Sequence, residues 1–310
     1  MVSKALIRTD TPRGRRGNVF IRYSHWVLLA PFLILFITFI ILPILLAIGL
    51  SFTNFNGVES PNFVFLSNYI RIFTKDSVFM QKIFPNTILY AAIVGPGRYI
   101  LSFVMAWLLA QLTKGPRTIL AVTFYLPSMT AGVTISTVWA VLFSGDRTGY
   151  LNSLLLQLGV IQTPITWLQS PETLMPVMIL VALWSSFDVG FLSMLSGMLN
   201  VNKEIYEAAH LDGIRNRIQE IIYVTIPSIR PQMLFGAVMA LVGTFNSAGL
   251  GVQLSGSNPT PQYAGSLIVN HVDDFGFIRY EMGYAAALSV VLLLIISLCS
   301  KLAYKLFGDN

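Results

Sequence analysis

The sequence has few charged residues and almost no cysteine. Only 11% of its 310 residues are Asp, Glu, Lys or Arg, whereas a soluble domain carries about 25%. The single cysteine, Cys299, excludes an internal disulfide and is predicted to be an ordinary residue of an apolar segment. Because 55% of the residues are hydrophobic, this shortage of charge places the chain among membrane proteins.

The sequence also lacks the motifs of common enzyme classes. It has no Gly-x-x-x-x-Gly-Lys-Ser/Thr phosphate loop, so ATP binding by that device is excluded. It has neither a Gly-x-Ser-x-Gly elbow nor a His-Glu-x-x-His zinc pair. His25, His210 and His271 are scattered through polar segments and are predicted to be solvated surface residues. We therefore predict no catalytic residue, no metal site and no cofactor in this chain.

Six long apolar runs follow a basic N-terminal segment, residues 1–25. The first run has about 25 residues, which at 1.5 Å per residue exceed a hydrocarbon core of roughly 30 Å. A cleavable signal peptide has an apolar core of only about 7–15 residues, so we expect this run to be retained. The sequence predicts an all-α membrane domain at 26–306, a tail at 307–310 and six transmembrane helices: 26–50, 87–112, 118–143, 173–199, 232–254 and 282–300.

The distribution of basic residues predicts the orientation. With six spans, both termini lie on the same side of the membrane. The segments on that side hold fourteen Lys and Arg residues and the opposite loops hold five. Because basic residues concentrate in cytoplasmic segments, we expect both termini, and the loop 200–231, to be cytoplasmic.

The loop 200–231 lies between the fourth and fifth runs and is polar and helix-patterned. Residues 203–211 favour a helix, and Gly213 can take the left-handed conformation that ends one. One apolar face of a second helix is predicted to contain Ile214, Ile218, Ile221 and Ile222. Glu220 is expected on its wet side and Pro227 at its end. Such a helix pair either docks in a groove of a soluble partner or lies on lipid headgroups.

The same loop resembles the EAA loop of binding-protein-dependent ABC importer permeases at Glu207-Ala208-Ala209, Asp212-Gly213 and Thr225-Ile226-Pro227. It has one extra residue before Pro227, and Ile226 replaces the usual Leu. Other motifs resemble the sugar-importing branch: Ser67-Asn68-Tyr69-Ile70, Asn86-Thr87, Phe124-Tyr125-Leu126-Pro127, Gly149-Tyr150-Leu151-Asn152 and Trp167-Leu168. After the fifth run, the family's Gly-Gly-Pro is replaced by Ser257-Asn258-Pro259-Thr260-Pro261.

The resemblance implies the permease subunit of an ATP-driven importer in the cytoplasmic (inner) membrane, which moves a carbohydrate by alternating access. It implies four kinds of partner: a second, homologous permease, two ATP-binding subunits that carry ATP and Mg, an extracytoplasmic solute-binding protein and membrane lipid. No nucleic-acid partner is implied. In the family the EAA loop fits a cleft on the ATP-binding subunit, which implies coupling contacts for Glu207, Ala208, Ala209, Leu211, Asp212, Gly213, Ile218, Ile226 and Pro227.

Arg98 and Asp188 are the strong charges well inside apolar runs. A charge at that depth is costly unless it faces a partner or a cavity. Three alternatives are open: the two residues form an ion pair, Arg98 meets an anionic solute such as a uronate, or Arg98 extends to the membrane interface.

A sugar pathway combines aromatic faces with amide and hydroxyl groups. Two runs supply this mixture, and the resemblance points to the same two runs. Candidate pathway residues are Arg98, Trp184, Phe187, Asp188, Phe245, Asn246 and Ser247. The solute is expected to be an oligosaccharide and could be acidic.

Three other functions are alternatives. A glycerol-phosphate importer would also suit Arg98. A secondary transporter would show internal repeats, and a membrane-embedded enzyme would show paired histidines or acids facing each other across spans. The sequence shows neither pattern.

Overall fold

The computed structural model describes residues 19–130, 132–246 and 249–307. Residues 1–18 of the predicted basic segment and 308–310 of the predicted tail lie outside them. Within the described ranges the chain is helical and has no strand. Its α-helices are α1 (Val19–Phe36), α2 (Leu42–Leu50), α3 (Ser67–Thr74), α4 (Phe84–Ala110), α5 (Lys114–Met129), α6 (Gly132–Leu142), α7 (Tyr150–Gln157), α8 (Pro171–Trp184), α9 (Val189–Asn200), α10 (Lys203–Leu211), α11 (Arg217–Glu220), α12 (Ile226–Ser228), α13 (Arg230–Asn246), α14 (Leu250–Ser255), α15 (Ile268–Asp273) and α16 (Met282–Phe307).

Several of these helices are continued by π-helical turns. Such turns appear mostly as single-turn bulges within α-helices. They join α1 to α2, precede α4, lead from α11 to α12 and extend α15: Ile37–Ile41, Phe79–Ile83, Ile221–Thr225 and Asp274–Ile278. A short 3-10 helix, Pro261–Tyr263, follows α14.

The described part of the chain holds four helical segments that are long and apolar enough to cross a membrane: Leu28–Leu50, Phe79–Ala110, Pro171–Asn200 and Met282–Lys305. A bent pair, Arg217–Ser228 and Arg230–Phe245, is a fifth candidate, with 87° between its halves. These segments overlap five of the six predicted runs. The remaining run is divided between α5 and α6, which have 16 and 11 residues. Neither is long enough to span alone, so the count of six stays a prediction.

The described residues divide into two compact units, with the boundary between residues 47 and 48. The described part of the first is α1, the following π-helical turn and the start of α2. Most described side chains of this helix are exposed and apolar, which is the composition of a lipid-facing helix.

The second unit is built around α4, α9 and α13, which pack against one another. The crossing of α9 and α13 is close because both helices have glycine there. A Cβ atom added to Gly190 would lie 3.1 Å from the Cα atom of Gly236. Small residues at such crossings let helix backbones approach in lipid. The core between the three helices includes Ala106, Phe191 and Met233.

Asparagine side chains hold the loops at one end of these helices. Asn152 is fully buried. Its amide donates to three backbone carbonyl groups, including that of Ile165 at 3.0 Å, and its oxygen accepts from the indole N–H of Trp167 at 2.9 Å. Asn68 donates to the carbonyl groups of Ser51 and Thr53 at 2.9 and 2.8 Å. Asn68 and Asn152, which belong to two of the sequence motifs, therefore fix these loops through their hydrogen bonds.

A buried cluster around Asp76 joins the loop after α3 to α15 and α16. The Asp76 carboxylate accepts from the backbone N–H of Phe79 at 2.9 Å, from His271 Nε2 at 2.8 Å and from the Tyr284 hydroxyl at 2.8 Å. The expectation that His271 is a solvated surface residue is wrong, because its side chain is buried against this carboxylate. A lone histidine in a polar segment gives no sign of a partner 195 residues away.

The environment of Asp76 lowers its pKa. Burial of the carboxyl group acts to raise the pKa, but the hydrogen bonds from His271, Phe79 and Tyr284 outweigh burial and lower it from 3.8 to about 2. Because the folded-state value lies below the ordinary one, the ionised carboxylate stabilises the fold above pH 4, roughly. That stabilisation is lost as the pH falls from about 4 to about 2.

We predict that Asp76→Ala destabilises the folded protein, because it leaves buried donors without an acceptor. Each orphaned donor costs about 1–3 kcal/mol. Asp76→Asn keeps an acceptor but cannot titrate, so it should lose less stability at neutral pH and should also lose part of the acid dependence between about pH 4 and 2. Thermal unfolding of the detergent-purified protein across this range measures both effects.

Glu59→Gln is the matched control, since Glu59 is an exposed loop carboxylate. It should leave the neutral stability and the acid slope unchanged. An acid slope that is the same for Asp76→Asn as for the unmodified protein would contradict the role of the Asp76 carboxylate.

Candidate functional site

The fourth apolar run is broken in its middle. Helix α8 ends at Trp184 and α9 begins at Val189. Asp188 caps the start of α9, where its Oδ1 accepts the backbone N–H of Gly190 at 2.8 Å. Side-chain caps of this kind satisfy donors that the first turn of a helix leaves free.

The carbonyl groups freed by the break are bonded by side chains of α4. Arg98 Nη2 donates to the carbonyl of Ser185 at 2.9 Å, and the Ser102 hydroxyl donates to that of Ser186 at 2.8 Å. Arg98 and Ser102 are four residues apart and so share one face of α4. A non-helical segment at membrane depth is tolerated when neighbouring helices supply such partners.

Arg98 also forms an ion pair with Asp188. The distance from Arg98 Nη2 to Asp188 Oδ2 is 3.8 Å, and both side chains are largely withdrawn from solvent. The guanidinium lies against Gly243 of α13, where an added Cβ atom would be 2.9 Å from its Cζ. Of the three alternatives for Arg98, the structure favours the ion pair, because the side chain is buried beside Asp188.

A cavity of about 490 Å³ opens beside this ion pair. It is enclosed by α4, the end of α5, the break between α8 and α9, α13 and α14. Its polar lining residues are Arg98, Ser128, Thr130, Ser185, Asp188 and Gln253. Apolar residues of the same helices complete the wall, among them Val181, Val189, Met239, Val242 and Leu250. A mixed lining of this kind suits a polar solute with apolar faces.

The structure brings together two of the candidate pathway residues, Arg98 and Asp188. Phe187 is buried between aromatic neighbours, with ring centroids 5.3 Å from Phe124 and 5.6 Å from Phe191. Trp184 is exposed and meets the ring of Trp139 edge-on at 5.9 Å. Neither aromatic residue lines the cavity, and their role in solute contact stays a prediction.

The other candidates lie in or after α13. Phe245 lines a small separate cleft together with Tyr90. The side chain of Asn246 and all of Ser247 lie outside the described residues. Their contribution to a pathway also stays a prediction.

Several residues of the site were not among the sequence candidates, and Ser102, Gly243 and Gln253 are examples. Ser102 could have been found from its spacing of four residues from Arg98. Gln253 is an amide within an apolar run, the same signal that singled out Asn246, and it accepts from Ser136 of α6 at 2.7 Å. Gly243 carries no sequence signal for its place beneath a guanidinium.

A second candidate site is formed by α10, the bend at Gly213 and α11 with the following π-helical turn, here called the coupling knob (residues 203–228). Gly213 has φ +99°, as the sequence predicts. Its N–H bonds the carbonyl of His210 at 3.3 Å, and the N–H of Ile214 bonds that of Ala209 at 3.0 Å. This pair of bonds is a Schellman motif, which closes the end of α10.

Side chains tie the two arms of the coupling knob together. The Tyr206 hydroxyl lies 3.2 Å from Thr225 Oγ1, and Glu220 is paired with Arg217 at 3.0 Å and lies 3.9 Å from His210 Nε2. The prediction that Glu220 faces water is wrong, since its side chain is buried beside Arg217 and His210.

The boundaries of the second arm also differ from the sequence prediction. Its helix begins at Arg217, so Ile214 precedes it. Pro227 lies inside α12, which ends at Ser228. The π-helical turn Ile221–Thr225 shifts the helical register, so Val224 and Thr225 are buried while Ile218 and Ile222 are exposed.

Most of the residues predicted to contact an ATP-binding subunit are exposed. Leu211, at the end of α10, is 90% exposed. The other exposed members are Glu207, Ala208, Asp212, Gly213, Ile218 and Pro227, while Ala209 and Ile226 are half-buried. Large exposed apolar side chains such as Leu211 and Ile218 are features that can mark a protein interface when they lie together.

Apolar spans, a broken membrane helix and a polar cavity define a multi-pass membrane protein. The chain belongs to the family of binding-protein-dependent transport system inner membrane components, whose sequence pattern matches residues 99–309. It is 30% identical over 283 residues to the probable ABC transporter permease protein YesP of Bacillus subtilis (strain 168), covering 91% of this chain and 89% of YesP.

Another relative is the arabinooligosaccharides transport system permease protein AraP of Bacillus subtilis (strain 168). It is 29% identical over 290 residues, with 92% of this chain and 89% of AraP covered. The fold is similar to that of a chain in the crystal structure of a bacterial ABC transporter involved in the import of the acidic polysaccharide alginate. The TM-score is 0.72, with 23% identity and coverage of 94% of this chain and 99% of that chain.

We predict that Ser102→Ala destabilises the protein by about 1–3 kcal/mol, because the carbonyl of Ser186 loses its buried donor. Thr123→Val is the control, since the Thr123 hydroxyl is exposed and bonds only a carbonyl within its own helix, that of Ile119. Thermal unfolding in detergent compares the two variants. Equal stability of the Ser102→Ala variant and the control would contradict the view that α4 stabilises the break by donating hydrogen bonds to its carbonyl groups.

Proposed function

We propose that the chain is the translocation subunit of an ATP-driven ABC importer for a carbohydrate, most simply an oligosaccharide. The observation that carries the proposal is the coupling knob. It presents exposed apolar residues, Leu211 and Ile218, on the polar segment that joins the candidate span Pro171–Asn200 to α13. Because lipid does not accept the charged residues around them, this surface fits a soluble protein partner.

The solute class is supported by two kinds of observation. Relatives that match this chain over about nine-tenths of its length include permeases named for arabinooligosaccharides and for lactose. The cavity beside Arg98 combines hydroxyl and amide groups with aliphatic walls. Sugars present hydroxyl edges and C–H faces, so both parts of this lining have a use.

The proposed topology has six spans with both termini in the cytoplasm. In it α5 and α6 form the third span and α13 and α14 the fifth. The excess of basic residues on the side of the loop 200–231 supports this orientation. The coupling knob then faces the cytoplasm, and the loops fixed by Asn68 and Asn152 face outward.

The mechanism follows from how the knob joins the membrane helices. Its two arms are held as one unit by the Schellman motif and by the contact between Tyr206 and Thr225. It continues through the buried Ile229 into α13, which packs against α9 and α4. Movement of the knob by a partner would therefore move the helices that enclose the cavity and change the side to which it opens.

The partners of the proposal are a second, homologous permease, two subunits that bind ATP and Mg, and an extracytoplasmic solute-binding protein. This chain lacks a phosphate loop, so hydrolysis takes place on the ATP-binding subunits. One bundle of this size supplies half of a lined pathway, which is why a second permease is required.

Two measurements test the proposal. Affinity purification of the tagged chain from its native membrane should bring down an ATP-binding subunit and a second permease. The reconstituted complex with its binding protein should then accumulate a labelled oligosaccharide in vesicles only when ATP is present on the knob side. Purification of the chain alone, or uptake that continues without ATP, would overturn the proposal.

We predict that Leu211→Ser uncouples the importer. The side chain is 90% exposed, so folding should be unaffected, whereas loss of an interface anchor weakens binding by about tenfold or more. The amount of ATP-binding subunit that co-purifies and the rate of ATP-dependent uptake should both fall.

Leu158→Ser is the matched control, because Leu158 is an exposed leucine at the end of α7, outside the knob. It should leave co-purification and uptake at their normal levels. Undiminished uptake by the Leu211→Ser variant would count against the coupling role of the knob.

A further inference from the structure

The cavity beside the broken helix holds one positive and one negative side chain. Among the described residues that line it, Arg98 and Asp188 are the charged ones. An arginine guanidinium is effectively always protonated, so its charge is constant. Asp188 lies 3.8 Å away and offsets that charge.

Asp188 is placed to do this by the local fold. Its Oδ1 accepts a hydrogen bond from the backbone N–H of Gly190 at 2.8 Å, and its Oδ2 therefore faces Arg98. Arg98 is held in turn by the carbonyl of Ser185 at 2.9 Å and by the close approach of Gly243. Both charged groups are therefore anchored by the protein, although the buried Nε–H of Arg98 has no hydrogen-bond partner among the described residues.

We propose that Asp188 determines the solute class of the cavity: by cancelling the charge of Arg98, it makes the cavity accept uncharged polar solutes and disfavour anions. This inference rests on the proposed function, because it treats the cavity as part of the solute pathway. A neutral oligosaccharide fits it, whereas a uronate or a glycerol phosphate would lack a free cation to meet.

The physical reason is the low polarity of the surroundings. An anion that leaves water for a cavity within a membrane needs a compensating charge. Arg98 already has one, so an entering anion would face both members of a neutral pair. An uncharged solute has no such requirement and exchanges its hydrogen bonds with water for bonds to hydroxyl and amide groups.

The charge of the cavity can be measured with thiol reagents on the intact complex. The background is the Cys299→Ser variant, which leaves the chain without cysteine. Val242→Cys then places one thiol on the cavity wall, and Val58→Cys places one on an exposed loop as the control. The rates of reaction with an anionic and a cationic methanethiosulfonate reagent of similar size are compared at low ionic strength, where screening is weak.

With Asp188 present, the ratio of the anionic to the cationic rate at residue 242 should match the control within about twofold. Asp188→Asn keeps a good helix cap but uncovers the charge of Arg98. One uncompensated charge roughly 10 Å away changes the rate for a charged reagent on the order of tenfold at an effective dielectric constant near 20. The anionic reagent should therefore gain and the cationic one should lose by about that factor.

Arg98→Gln should shift the ratio in the opposite direction, and the double variant Arg98→Gln with Asp188→Asn should restore it. A purely structural role of Asp188 would not predict this restoration. An unchanged ratio in the Asp188→Asn variant, or a strong anionic preference before any substitution, would overturn the proposal.

Uptake separates this inference from the proposed function. Reconstituted complexes are given maltotriose, or the neutral oligosaccharide that the binding protein retains, and the same compound with one primary alcohol oxidised to a carboxylate. Both proposals are supported if the unmodified complex takes up only the neutral compound in the presence of ATP and the Asp188→Asn complex also takes up the oxidised one. Equal transport of the two compounds by the unmodified complex would reject the charge selection while leaving the importer intact. No ATP-dependent uptake of any oligosaccharide would reject the importer, and with it the solute pathway on which the inference rests.

Discussion

The hydrogen bonds from α4 to the break between α8 and α9 are the interaction on which the site depends. A helix that stops inside a membrane leaves carbonyl groups without partners, and this loss is expensive in a medium without water. Arg98 and Ser102 supply the missing donors. Asp188 caps the next helix and offsets the charge of the guanidinium. One small network thus permits a cavity in the middle of the bundle.

The two ends of the second unit are built for different purposes. At one end, the side chains of Asn68 and Asn152 and the cluster around Asp76 form hydrogen bonds within the protein and fix the loops. At the other, the coupling knob is held rigid by internal bonds but leaves Leu211 and Ile218 exposed. In the proposed mechanism, the first end stays fixed while a partner moves the rigid knob and tilts the helices between them.

Features that depend on local chemistry are predictable from the sequence. The helix at 203–211, the left-handed Gly213 and most of the apolar runs are set by periodicity and by residue type, and the structure confirms them. Features that depend on contacts between distant residues are not predictable in this way. His271 and Glu220 look solvated in the sequence, yet each is buried against a partner, and the π-helical turn at Ile221–Thr225 shifts a face that the 3.6-residue period places elsewhere.

The same limit applies to the solute. A similar fold occurs in a chain of an importer of the acidic polysaccharide alginate, but at 23% identity the likeness extends to the fold alone. The charge inside such a cavity depends on single side chains. In this chain Asp188 is available to Arg98 only because the fourth run breaks beside it and turns its capping residue toward α4. If Asp188 has the proposed role, one substitution at a helix cap changes solute selection while the fold and the coupling knob stay as they are.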